Sequence, residues 1–277
     1  MSGAMTCRPV MDVCFRVLTA ALLSLVIGGA SAATFSGNPG AGGPPSRFSA
    51  EEIIRFAKKV ERVLGEKGAR VALVSRVGRP PAEMPQGMYY THVAFAVYSD
   101  VPTRDNRVLR GYAMFNEYQN DDRPDTSALV QDYPVDFFAG VAGLEAGIII
   151  PSPVLQQRLL DVIASPTYAA LHEPRYSAIA NPYTLGRQNC TEFVLDVLFA
   201  AIYQTADVQV IKANEKAFFV AQPVNVSPLK LLLGSMFTVE ISLADQSDSP
   251  VTATFEKIGD FLGKYDAGVE VFTVKAD

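Results

Sequence analysis

The sequence is poor in cysteine and histidine, with three of one and two of the other in 277 residues. Cys7 and Cys14 precede or open an apolar N-terminal run, so Cys190 is the only cysteine in the remainder of the chain. A zinc site needs three or four ligands at workable spacing, which one cysteine and two histidines do not supply. Asp100, Asp105 and the pair Asp121-Asp122 fit solvated turns better than a calcium loop. No metal and no cofactor is expected. Positive charge is also scarce: 24 Lys and Arg stand against 29 Asp and Glu, a formal net charge of −5 at pH 7. A nucleic-acid binder must offer the phosphates a basic surface, so that partner class is excluded.

The chain opens with Arg8 and Arg16, an uncharged apolar run from Val17 to Gly29, and the small-residue site Ala30-Ser31-Ala32. This order is that of a secretory signal peptide over residues 1–32, cut after Ala32. The run is short for a bilayer span, and no cysteine follows it for lipid attachment, so no membrane span is expected after cleavage. The location implied is periplasmic or secreted. Residues 33–47, rich in Gly and Pro between Ser36 and Pro45, form a flexible leader.

The main domain is expected over residues 48–206, followed by a C-terminal α/β extension over 207–277 packed on the core. Ser49 and Glu52 make a capping box, and Ile53, Phe56, Ala57, Val60 and Leu64 recur at helical spacing. Val71–Val77, Tyr89–Tyr98 and Val108–Tyr118 alternate as strands, the last two antiparallel around a polar loop. Pro153–Ala164 and Thr191–Tyr203 predict helices, with a short apolar strand ending at Pro151 between them and the hairpin. Beyond Ala206, β-like pieces fall at Val208–Ile211, Phe218–Val220, Met236–Leu243, Val251–Phe255 and Val269–Val274, with a helix at Leu229–Leu233.

Chemistry concentrates at Cys190. Asn189 is a good N-cap, and Glu192, three residues after it, completes a capping-box pattern. Cys190 then occupies the first helical position, where the helix dipole and unpaired N–H groups favour thiolate and offer hydrogen bonds to an oxyanion. The backbone of Cys190 and Gln188 are the oxyanion candidates. Such a nucleophile needs a base. His92 sits mid-strand beside Ala94 and Ala96, small residues that would let a buried helix approach, whereas His172 lies in a proline-bounded loop. His92 is therefore the expected base, with Asn116 on the paired strand orienting it, and Glu117 or Tyr118 as replacements if the register slips. A small buried thiol and a structural histidine are the competing readings.

Thr91-His92-Val93-Ala94-Phe95, followed much later by Gln188-Asn189-Cys190-Thr191-Glu192-Phe193-Val194, resembles the circularly permuted papain-like hydrolases of the NlpC type, a group that includes lecithin retinol acyltransferase-like enzymes. With Ala180-Asn181-Pro182 ahead of the cysteine motif, the sequence is most similar to the bacterial domain-of-unknown-function family 2145. The resemblance covers about Arg70 to Tyr203. It implies an α+β, permuted papain-like fold in which an antiparallel sheet packs against the cysteine helix. It also implies Cys190 as nucleophile, His92 as base, and Asn116 where many relatives place a histidine.

The expected function is an exported thiol hydrolase, an amidase or peptidase, acting on a peptide or acyl substrate through an acyl-thioester. Export makes peptidoglycan peptides, a cell-wall component, the natural substrate class. Two other readings stay open. Acyl transfer or lipid-amide hydrolysis with the same pair predicts an apolar groove, and a non-enzymatic envelope binding module predicts an occluded thiol.

Overall fold

The computed structural model describes residues 46–103, 105–225, 241–247 and 249–277. The expected signal peptide, most of the leader, the expected helix at Leu229–Leu233 and most of the strand expected at Met236–Leu243 lie outside the described residues.

The protein is mixed α+β. Helix α1 (Ala50–Glu66) is followed by strands β1 (Val71–Val77), β2 (His92–Pro102), β3 (Val108–Gln119) and β4 (Ser127–Asp132). Next come α2 (Pro134–Phe137), β5 (Gly143–Ile150), α3 (Pro153–Ile163), α4 (Pro166–Ala170), α5 (Cys190–Tyr203) and α6 (Val208–Phe218). The chain closes with the short pair β6 (Gln222–Pro223) and β7 (Val251–Thr252), then α7 (Phe255–Tyr265) and β8 (Glu270–Lys275). Six strands form one antiparallel sheet in the order β4-β3-β2-β1-β5-β8.

Helices cover both faces of this sheet, which explains why all seven residues of β1 are buried. On one face, Leu73, Val93 and Phe95 pack against Leu159 of α3, Phe193 and Val194 of α5, and Ile258 and Leu262 of α7. On the other, Val74, Ala94 and Ala96 pack against Phe56 and Ala57 of α1 and Phe137 of α2. The alternation along each strand sends odd and even residues to different layers. Ser49 caps α1 as its sequence predicts, accepting from the Glu52 N–H while the Glu52 carboxylate accepts from the Ser49 N–H at 2.8 Å.

The C-terminal residues depart from the expected β-like pieces. Residues 208–211 are the first turn of α6, because Asp207 Oδ1 accepts from the Gln209 and Val210 N–H groups. Lys212 and Glu215 of the same helix then turn inward to the carboxylates of α5. This tertiary pairing overrides the β preference of Val208, Val210 and Ile211. Phe218 ends α6 instead of opening a strand. Of Val251–Phe255, only Val251 and Thr252 are paired, and Thr254 caps α7, a helix the sequence reading lacks. β8 joins the main sheet beside β5. Gly147 of β5 makes room for α7, since a Cβ there would collide with the Phe255 ring and Ser75 Oγ.

Among the described residues no single helix is long and apolar enough to cross a membrane.

Candidate active site

Asn189 holds an extended backbone, φ −128° and ψ 168°, and its Oδ1 accepts from the N–H groups of Thr191 at 3.1 Å and Glu192 at 3.0 Å. The cap is one-sided. Glu192 was expected to return to the Asn189 N–H, but its carboxylate accepts from Lys212 Nζ at 2.8 Å. Asn189 Nδ2 instead donates to Ala178 O and Thr252 Oγ1, which ties the start of α5 to β7.

Cys190 follows at the first position of α5, free and 3% exposed. Its Sγ lies 4.0 Å from Thr91 O and 3.9 Å from Thr191 Oγ1. The ladder between β2 and β3 runs from Pro102–Val108 to Phe95–Phe115 and stops. The thiol therefore lies at the end of β2 that β3 does not pair.

The His92 ring packs among residues of β3 and α2 instead of against α5. Its ring stacks on Tyr118 with centroids 4.8 Å apart and lies 5.6 Å from Phe137. Nε2 is 3.0 Å from Asn116 Oδ1, and Nδ1 is buried without a hydrogen-bond partner. Asn116 Nδ2 donates to Asp132 Oδ1 at 2.8 Å and to Met114 O at 3.2 Å, and Tyr118 OH donates to Asp132 Oδ2 at 2.8 Å. Thiol and imidazole each have other hydrogen-bond partners and are not bonded to one another.

Two expectations are corrected here. Ala94 and Ala96 receive α1 and α2, while the cysteine helix packs over Val93 and Phe95. The register also differs by two residues from one that sets Asn116 opposite His92. Extending Phe95–Phe115 puts Tyr118 opposite His92 and Asn116 opposite Ala94. An even slip preserves the face, so Asn116 still reaches His92 on the diagonal.

The oxyanion candidates separate. The Gln188 carboxamide donates to Asp196 Oδ2 at 2.6 Å and Leu171 O at 3.1 Å, and accepts from the Glu173 N–H at 2.8 Å. Its side chain is committed to holding the approach to α5. The Cys190 N–H stands outside the Asn189 cap, which takes the next two.

The electrostatics favour neutral groups. Burial, and behind it the Glu117 carboxylate, pushes the Cys190 thiol up to about 11, against the Val93 N–H, the Thr191 hydroxyl and Arg76. The direction is opposite to that expected of a helix start, and its largest cause is desolvation of the thiolate. Burial and then the Arg76 guanidinium hold His92 well below its ordinary value, with Asn116 pulling the other way. Glu117, 1% exposed, is raised to about 8 by burial, with Ser127 opposing and Asp196 adding. Asp132 is raised to about 6 by burial, against Tyr118, Arg76 and Asn116.

A cavity of about 320 Å³ opens beside Cys190. Met84, Pro85 and Met88 line it from the loop before β2, and Tyr176, Ala178 and Ile179 from the loop before α5. His172, read as a solvated loop residue, is half-buried and bonded through Nε2 to Ser127 Oγ at 2.9 Å. Among the described residues no group of three or more His, Cys, Asp or Glu side chains is arranged to hold a metal.

Sequence reasoning missed Asp132, because β4 itself was not recognised. It also missed the buried cluster in which Lys212 Nζ meets Glu192 at 2.8 Å, Asp196 at 2.6 Å and Glu215 at 3.2 Å. The spacing of Glu192 and Asp196 on one helix face was the available signal.

The fold and site define a mixed α+β protein with one buried cysteine at the start of a core helix. Residues 63–262 match the family described as "Uncharacterized protein conserved in bacteria (DUF2145)", and the chain belongs to that family. No curated protein and no solved structure matches it.

Proposed function

We propose that the protein is an exported thiol hydrolase on a permuted papain-like frame, with Cys190 as nucleophile and His92 as base. The observation that carries this reading is the Asn116 bond to His92 Nε2, which leaves Nδ1 buried and unpartnered one residue along from Thr91, whose carbonyl meets Cys190 Sγ. A histidine strand ahead of a cysteine helix, in an antiparallel sheet, agrees with that frame.

The resting pair is neutral, so the proton moves with the attack. The thiol leaves Thr91 O, its proton passes to His92 Nδ1, and sulfur bonds to the carbonyl carbon of an amide or ester. The Cys190 N–H takes a share of the oxyanion. Collapse expels the amine or alcohol, which carries off the proton from His92. Water, deprotonated by His92, then attacks the thioester, releasing the acid and restoring the thiol. Export makes peptidoglycan peptides the first substrates to try.

Two observations favour other uses of the same frame. Apolar lining at Met84, Met88, Tyr176 and Ile179 suits an acyl chain, and hence acyl transfer or lipid-amide hydrolysis. The occluded, protonated thiol suits a binding module. A small epoxide thiol probe, followed by mass spectrometry, separates the enzyme readings from the binding module. Stoichiometric labelling of Cys190 in the folded protein, lost in Cys190→Ala and slowed in His92→Ala, supports the enzyme. Labelling only after denaturation leaves the binding module.

A further inference from the structure

We propose that Asp132 is a positioning residue: acting through Asn116, it fixes the His92 imidazole in the tautomer that keeps Nδ1 open as a proton acceptor. The role for that nitrogen rests on the reading above, while the tautomer stands on geometry alone.

The argument runs along one chain of hydrogen bonds. A carboxylate only accepts, and so does a backbone carbonyl. Asp132 Oδ1 at 2.8 Å and Met114 O at 3.2 Å both face the same side-chain atom of Asn116, which must therefore be the NH₂ group. The amide oxygen is then left for His92. Facing an acceptor at 3.0 Å, Nε2 must carry the proton, and a neutral ring with Nε2–H has its lone pair on Nδ1. Were the amide reversed, its NH₂ would point at Nε2 and the proton would move to Nδ1, closing that atom as a base.

Asp132 is itself held. Tyr118 OH donates to its second oxygen at 2.8 Å, and the Tyr118 ring stacks on His92, so one side chain braces both ends of the relay. Asp132 is 7% exposed, Asn116 and His92 are fully buried, and water has little access to exchange for these bonds. The other charged groups acting on the carboxylate are Arg76 from β1 and Asp136 from α2.

The test is nitrogen-15 NMR of the imidazoles, whose assignment is simple because His92 and His172 are the only histidines. Two-bond proton–nitrogen correlations at pH 7 distinguish the tautomers. The wild-type ring is expected to show a protonated Nε2 and a pyridine-type Nδ1. In Asp132→Ala, the His92 signals should split or move toward the Nδ1–H form, and any small-probe labelling of Cys190 should slow by about tenfold, a part of what a general base supplies. Asp132→Asn, whose amide oxygen still accepts from Asn116, should restore the wild-type pattern.

A folded Asp132→Ala protein with an unchanged tautomer would assign the lock to Met114 O and overturn the proposal. If that variant does not fold, the wild-type spectrum decides: an Nδ1–H ring or an imidazolium at pH 7 overturns it equally. Correct tautomers without labelling of Cys190 would keep this inference and remove the hydrolase.

Discussion

The Sγ of Cys190 stands 4.0 Å from the carbonyl oxygen of Thr91, the residue just ahead of β2. This contact seats the start of α5 on the sheet and shields the thiol. With burial raising that thiol to about 11, iodoacetamide alkylation at Cys190 should keep accelerating above pH 9 instead of levelling near the free-cysteine value of roughly 8.5. Mass-spectrometric rates across pH, native and in denaturant, check this. A plateau at neutrality would establish a thiolate–imidazolium pair and contradict the neutral resting state.

Glu117 is a carboxylic acid held up to about 8 by burial, against an ordinary value of 4.5. Between those values the unfolded chain has released this proton and the folded protein has kept it. Stability should therefore fall as pH rises through that window, at up to about 1.4 kcal/mol per pH unit from this group. Glu117→Gln should flatten the dependence and be the more stable protein at pH 8. It should also lower the alkylation midpoint of Cys190, which Glu117 raises. Denaturant titrations at pH 5, 7 and 8 measure the first effect, and identical slopes in both proteins would refute it.

Lys212 is 7% exposed among Glu192, Asp196 and Glu215. Lys212→Met leaves buried carboxyls without their cation, and a loss of about 3–5 kcal/mol is expected near pH 8. Burial raises Glu192 and Glu215 well above 4.5 while Lys212 pulls them down, so removing the lysine raises them further and the folded variant holds more tightly protons that the unfolded chain gives up. The loss should shrink toward pH 5, where fewer protons separate the two states. A pH-independent loss, read by thermal denaturation, would show that packing of the lysine stem is the larger effect.

Gly147 lies where a side chain would strike the Phe255 ring and Ser75 Oγ. Gly147→Ala should cost about 1–3 kcal/mol by overpacking. Hydrogen exchange should locate the weakening in α7 and the β5–β8 pair, while the amides of α1 keep their protection. Unchanged stability would mean that α7 is not fixed against β5.

Much of this was legible without coordinates. Apolar spacing and the Ser49 box mark α1, the run from Phe193 to Ala201 marks a buried helix, and Asn189 marks its start. These are local signals, written by residues within one turn of each other. Alternation from His92 to Tyr98 and from Val108 to Tyr118 likewise gave a hairpin, and placed His92 and Asn116 on one face.

Register, layer and charge state needed the tertiary structure, because each depends on groups distant in sequence. Which helix covers Ala94 follows from α1 and α2 together. α6 forms against its β preference because Lys212 finds Glu192 and Asp196 across the core. Asp132 meets Asn116 only through the pairing of β4 with β3. The sequence determined that a thiol would begin a capped helix. The structure decided that this thiol is buried, which no local pattern expresses and which pushes it up.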